Sequence, residues 1–261
     1  MNILVCVKRV PQTGGRIVLT ADGQAIDTKF LGHTVSPHEE CGVEEAVRIV
    51  EKEGGSTAVL TLGPAAAEEQ LRDAMAIGID RAVLLQTDGS DWDPMATSAA
   101  LTDEIRRLEA DGGPFDLILV GNESADSGGF QVGIRVAVAL DRPVVTGMKA
   151  LEIRDGVAVA RRQIPGGFDI YELPLPAVVG VKEGINLPRY PSVPGRLRAK
   201  KKEVETSSPS RTAGGPVLDT LKLPVEQEAQ VQMLGQGPDA APRVVEVFRE
   251  IGILWAACSS W

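Results

Sequence analysis

Short apolar runs rich in β-branched residues recur along the first half of the chain, each followed by a segment of helical period, and this alternation constrains the fold more than any other feature. Ile3 to Val7 is the first run, bounded by Lys8 and Arg9; Ala58 to Leu62, Ala82 to Leu85, Leu117 to Val120 and Pro143 to Val145 follow. A run without polar alternation suits a strand buried on both faces. Between the runs, Val43, Ala46, Val47 and Val50 fall at i, i+3, i+4 and i+7 of a helix expected over 39–53, with an acidic first turn and Gly54-Gly55 as its stop. Pro64 opens a helix expected over 65–77, ended by Gly78. Asp93-Pro94 caps a third, whose core face would be Ala96, Ala100, Leu101, Ile105 and Leu108, and a fourth is expected over about 130–140. Strands separated by helices imply an α/β fold: a mostly parallel, doubly wound sheet covered on both faces.

The rest of the chain reads differently. Residues 10–35 are polar and turn-rich and suit a hairpin excursion. Leu151 to Ile153 and Val157 to Val159, joined by Asp155-Gly156, read as an added β-hairpin, with further strands at Phe168 to Leu173 and Ala177 to Val181. From Asn186 onward these signals fade. Pro188, Pro191 and Pro194 precede a basic run (Arg196, Arg198, Lys200 to Lys202), residues 206–215 are rich in Ser, Pro and Gly, and residues 225–240 have linker composition. Only Val244 to Leu254 regains helical spacing. The expected division is an α/β nucleotide-binding domain over 1–185 and an extended C-terminal arm over 186–261, too poor in apolar residues to pack a core of its own.

The 261 residues suffice for one such domain with an arm. With 36 acidic against 27 basic residues and a net charge of −9, general nucleic-acid binding is not expected. No apolar stretch approaches the roughly 18 residues that insertion in a bilayer requires. The chain starts directly on a strand rather than on a basic n-region, and its cysteines (Cys6, Cys41, Cys258) form neither an even framework nor a CxxC pair, so a cytoplasmic location is expected. His33 and His38 lack zincin spacing, and no cluster has metal-ligand spacing, so no metal is expected. A Rossmann G-x-G-x-x-G after the first strand, a P-loop and a G-x-S-x-G elbow are all missing, as is a nucleophile beside a histidine, so no catalytic residue is assigned. Cys6, within an apolar strand, reads as a buried inert thiol.

Open parallel sheets bind ligands at the carboxyl ends of their strands, where the strand order reverses. Three segments fall at such ends: Cys6 to Arg9, Leu62-Gly63-Pro64, and Gly121 to Gly129. The last is the most informative. Its glycines permit close backbone approach, its Ser and Asn side chains add hydrogen bonds, and the helix behind it supplies unpaired N–H groups and about half a positive charge. It reads equally as a phosphate cradle or as a polar loop with a helix-capping glycine.

Several segments are familiar in order and spacing: Leu4 to Pro11, Val43 to Val47, Leu62 to Pro64, Ala74 to Ala82, Leu175 to Val179, Pro188 to Ser192, Ala199 to Lys202 and Arg211 to Gly214. Together, over roughly residues 1–215, the chain resembles the β (small) subunit of electron transfer flavoprotein. Gly121 to Asp126 departs from the lysine-glutamine version of the loop common in that family, while keeping the glycine, the acidic residue and Gln131. The resemblance implies an adenine nucleotide alpha hydrolase-like fold and a heterodimer with a larger α subunit, whose FAD lies between the subunits and is held mostly by α. It implies electron flow from acyl-CoA or similar flavin dehydrogenases to a quinone oxidoreductase.

It also implies a structural AMP. Matched by motif, the AMP site comprises Cys6, then Ser36, Pro37, His38 and Glu39, then Leu62, then Gly121, Asn122, Glu123, Ser124, Ala125, Asp126, Ser127, Gly128, Gly129, Phe130, Gln131 and Val132. A partner-docking loop is implied at Arg189, Tyr190, Pro191, Val193, Pro194 and Arg198, with Val193 at the family's apolar anchor, commonly Leu. That change removes one methylene, worth about 0.8 kcal/mol when buried. The arm would wrap the α subunit, which would cover Trp255 and Trp261. Two alternatives stand beside this reading: an electron-bifurcating form with a second FAD in place of AMP, and an ATP-binding stress or signalling module acting as a homodimer.

Overall fold

A computed structural model describes all residues except Thr13, Gly15, 225–230 and 255–261; Trp255, Cys258 and Trp261 lie outside the described residues. The chain forms two compact units, Met1–Leu221 and Lys222–Trp261.

In the first unit the chain runs β1 (Asn2–Val7), β2 (Val10–Pro11), β3 (His33–Thr34), α1 (Pro37–Glu53), β4 (Ser56–Gly63), α2 (Glu68–Ile77), β5 (Arg81–Gln86), α3 (Pro94–Gly112), β6 (Leu117–Gly121) and α4 (Val132–Ala139). It continues through β7 (Val144–Arg154), β8 (Val157–Ile164), β9 (Gly167–Pro174), β10 (Ala177–Val181), α5 (Val193–Ala199) and β11 (Val204–Ser207). The main sheet has nine strands in the order β11-β5-β4-β1-β6-β10-β7-β8-β9. Neighbours from β11 to β7 are parallel, while β7-β8-β9 are antiparallel. The expected α/β architecture is therefore present.

The apolar runs explain the layering. Alternate residues of β1 serve opposite cores: Ile3 and Val5 pack with α1 and α2, whereas Leu4 and Cys6 pack with α3 and α4. Asp93 caps α3 by accepting from the N–H groups of Met95 and Ala96, and the five expected core residues of that helix are all buried. Residues 10–35 form an excursion closed by the antiparallel β2–β3 pair and a Leu19–Ile26 bridge.

Two features differ from the sequence expectation. Val144-Val145 and Leu151 to Ile153 belong to one strand of 11 residues rather than two. Gly147, at φ 77°, sits where the register of β7 shifts against β10, and a second shift against β8 follows between Met148 and Ala150, so that one strand passes from the parallel into the antiparallel part of the sheet. Beyond Asn186, secondary structure resumes sooner than Val244. Helix α5 packs on α2, and β11 extends the sheet alongside β5, both inside the unit that ends at Leu221. Both elements are too short for a clear periodic signal and draw their stability from tertiary contact. In the second unit α6 (Ala241–Glu250) overlaps the expected helical stretch but starts and ends earlier in the chain, with Val244, Val247, Phe248 and Ile251 along one side.

Candidate functional site

After β1 the chain builds outward through β4 and β5, then returns to the other flank of β1 with β6. The strand order thus reverses between β1 and β6, and their carboxyl ends bring Cys6, Lys8 and the Gly121 loop together. Helix α1 starts at the same place. Its residue Glu39 turns back over the gap, its side chain accepting from the backbone N–H of Lys8 (Oε1, 3.0 Å) and of Ser36 (Oε2, 3.0 Å). Ser36 Oγ accepts from Ala125 N–H at 2.9 Å, tying α1 to the loop. Lys8 Nζ pairs with Asp126 at 2.6 Å, and Asp126 accepts from Ser127 N–H at 2.7 Å. His38 Nδ1 accepts from Glu183 N–H at 2.7 Å, which leaves its Nε2 3.4 Å from Glu123.

The residues expected from three separate stretches therefore converge. Ser36, His38 and Glu39 touch or face the loop directly, and Pro37 and Ala125 line one cavity of about 430 Å³ with Pro11, Thr34 and Glu40. Cys6 is buried beside Glu39, and burial together with that carboxylate pushes its thiol up to about 12. That suits a wall rather than a nucleophile. Leu62 is half-buried at the end of β4, one strand over. Along the loop, Ser124 and Ser127 share a 2.9 Å hydroxyl contact, Asn122 N–H bonds Val181 O, and Gly128 N–H bonds Ser124 O. Gly128 and Phe130 both have φ 54°. Gly129, Phe130 and Gln131 are exposed, Gln131 accepting from Arg135, and Val132 starts α4.

Chemically, this arrangement offers an anion the two serine hydroxyls and the first N–H groups of α4, which have no intrahelical acceptor. Its carboxylates are controlled. Burial raises Asp126, but Lys8 and the Ser124 and Ser127 bonds outweigh it and hold it below its ordinary range. Burial pushes Glu39 up to about 8 against the pull of its two N–H donors and Lys8. Between its ordinary 4.5 and about 8 the folded chain thus keeps a proton that the unfolded chain has lost. The Glu39 contribution to stability therefore falls as pH rises through that window and is level above it. Denaturant titrations across the window should show a decline in the wild type that is flattened in Glu39→Gln; parallel profiles would place the titration elsewhere.

The expected docking residues divide into two groups. Arg189 is turned inward: its N–H and guanidinium hold Glu44, whose side chain is only 1% exposed, and the guanidinium also grips Glu51. It anchors the segment on α1. Tyr190 (97% exposed) and Val193 (72%) point outward, with Pro194 and Arg198 exposed and Pro191 half-buried. Leu197, 58% exposed and one turn beyond Val193, has the same character and was not singled out by the sequence; its i+4 spacing from Val193 was the available signal. Among the described residues no group of His, Cys, Asp or Glu is disposed to hold a metal ion, and no helix is long and apolar enough to cross a membrane.

An open, doubly wound sheet with a polar loop at its reversal point defines an α/β class built to present a crevice at the carboxyl edge. Residues 26–212 match the electron transfer flavoprotein domain family, and the chain belongs to that family. It is 34% identical over 259 residues to an electron transfer flavoprotein subunit beta from Bacillus subtilis, covering 95% of this chain and 98% of that one. Beta subunits from Syntrophomonas wolfei (33% over 247 residues, 94% and 95% covered) and Bradyrhizobium diazoefficiens (30% over 262 residues, 97% and 100% covered) are similarly related. The resemblance to the beta subunit is thereby supported, and with it an electron-transfer flavoprotein role.

Proposed function

We propose that this chain is the small subunit of a heterodimeric electron transfer flavoprotein that carries electrons from acyl-CoA or similar dehydrogenases to a quinone oxidoreductase, and that it holds AMP as an internal strut. The observation that carries the AMP assignment is the convergence of Ser36, Glu39 and the Gly121–Val132 loop at the reversal point of the sheet. The donor set suits a phosphate: the Ser124 and Ser127 hydroxyls lie 2.9 Å apart, and the loop that carries them leads into the N-terminus of α4, whose first N–H groups lack intrahelical acceptors. Lys8 neutralises Asp126 and so lowers the repulsion that a phosphate would meet there.

FAD, shared with the alpha subunit, supplies the electron-accepting and electron-releasing chemistry. This chain's residues bind, position and exclude water. The arm beyond Lys222 covers the alpha subunit: the Val244, Val247, Phe248 and Ile251 side of α6 is not buried within its own unit, and such an amphipathic helix fits a groove on a partner. The free, buried Cys6 and Cys41 accord with work in the cytoplasm.

The test is the ligand content of the co-expressed αβ complex. Acid-released ligand should contain AMP and one flavin per heterodimer. Neither AMP nor flavin would overturn the reading, and two flavins without AMP would favour the bifurcating form. Val193→Asp should slow reduction by the donor dehydrogenase by about tenfold or more while leaving flavin content intact. Loss of flavin in step with activity would make that segment structural instead.

A further inference from the structure

We propose that Glu39 sets the phosphate count of the bound nucleotide: its side chain fills the gap between β1 and β6, leaves one anion position on the loop before α4, and so admits a nucleoside monophosphate while turning away a pyrophosphate. The proposal rests on the reading of this crevice as a nucleotide site and adds the residue that makes it selective.

A doubly wound sheet ordinarily offers a phosphate the point where its strand order reverses, because strand ends and helix N-termini present N–H groups there. In this chain a buried side chain already stands at that point. The stem of Glu39 lies against the end of β6, so closely that a Cβ added to Gly121 would be 2.6 Å from its Cγ. Oε1 accepts from Lys8 N–H after the end of β1 and Oε2 from Ser36 N–H before α1, each at 3.0 Å. The bond to Ser36 is the usual reach of a third helical residue back to its cap. The bond to Lys8 spans 31 positions and serves the crevice rather than the helix.

A census of the donors around the gap leads to the same place. Ala125 N–H is held by Ser36 Oγ, Asn122 N–H by Val181 O, Ser127 N–H by Asp126, and Gly128 N–H by Ser124 O. Lys8 Nζ is held by Asp126 at 2.6 Å. What the crevice keeps for an anion is the Ser124–Ser127 hydroxyl pair, 2.9 Å apart, and the first N–H groups of α4. That set serves one phosphate. A second would need the Lys8 and Ser36 N–H groups, and Glu39 yields them only by leaving its own buried carboxyl without partners. Burial pushes Glu39 up to about 8, so at neutral pH it is mostly uncharged and excludes by occupying space and donors rather than by charge. Glu39→Gln therefore keeps the selection, and Glu39→Ala removes it.

The co-expressed αβ complexes are purified, and acid-released AMP and ADP are quantified before and after equilibration with both nucleotides at equal concentration. Wild type should hold AMP over ADP by about tenfold or more. Glu39→Ala should lower that ratio about fivefold or more, and Glu39→Gln should stay within about twofold of wild type. An unchanged ratio in Glu39→Ala, with AMP present, overturns this inference and spares the nucleotide reading. A fall in Glu39→Gln as large as in Glu39→Ala also overturns it, since the space stays filled. ADP as the main nucleotide of the wild type does the same. Should Glu39→Ala fail to assemble, Glu39→Asp, one methylene shorter, decides: an intermediate ratio supports the inference and a wild-type ratio overturns it. No adenylate in any complex overturns the nucleotide reading itself. A second flavin per wild-type heterodimer, with no AMP, overturns both, because a dinucleotide carries a pyrophosphate.

Discussion

Gly121→Val is expected to leave the purified αβ complex with about a tenth or less of its AMP and to lower its melting temperature. A Cβ on residue 121 would lie 2.6 Å from Cγ of Glu39. That contact is not relieved by swinging a free side chain, because Glu39 is buried and its two carboxylate oxygens are tied to Lys8 N–H and Ser36 N–H. Either β6 and its loop retreat or the start of α1 rotates, and each breaks the Ser36–Ala125 link that closes the crevice. Overpacking of this kind costs about 1–3 kcal/mol. For a chain of this size that corresponds to roughly 2–4 °C per kcal/mol. Gly129→Ala is the matched control: no atom lies within 4 Å of the added Cβ, so stability should hold. AMP content unchanged in Gly121→Val would remove the loop from the site, whereas equal losses in both variants would point to general sensitivity of the loop.

Arg189→Ala should cost about 1.5–3 kcal/mol, the scale of a hydrogen bond to a charged partner that is left buried. Glu44 would keep the 2.6 Å bond from Arg48 and the N–H of residue 189, but it would lose the guanidinium bonds at 2.9 and 3.1 Å. In the wild type those bonds overcome burial and hold the Glu44 carboxyl below its ordinary range. Arg189→Lys should rescue little, because one ammonium cannot span Glu44 and Glu51 as the guanidinium fork does. Donor reduction should weaken moderately through misplacement of Tyr190, since α5 has its own attachments. Arg198→Ala, at an exposed position, should leave the unfolding midpoint unchanged. Denaturant midpoints for the three variants check the ranking, and an unchanged midpoint for Arg189→Ala would show that Glu44 needs no second arginine.

How far the sequence reaches can be argued from particular residues. The five core positions of α3 and its Asp93 cap were readable because both signals are local: a 3.6-residue period and a side chain bonding two and three residues ahead. The Gly121 loop was legible as polar and glycine-rich, but its contacts with Ser36 and Glu39 were not. The Ser36–Ala125 bond spans 89 positions, and the Arg189–Glu44 pair spans 145. The pairing of Arg189 with Glu44 and Glu51 was likewise hidden, and Leu197 drew no notice because only the burial of Gly195 and Ala199 shows which side of α5 faces out. The continuous β7 was hidden by Gly147, which looks like a break in sequence and sits in a bulge against β10 in the sheet.

The amino-acid order alone determined the element types, the parallel α/β class, the absence from the sequence of recognised catalytic motifs and, through its ordered motifs, the resemblance to the family, because each of these depends on neighbours in the chain. Only the tertiary structure decided the strand order, the convergence of three segments at the β1–β6 gap, and which residues of the 189–198 stretch face inward. Those depend on which distant backbones approach each other, and burial of a whole sheet face, not local propensity, sets that approach.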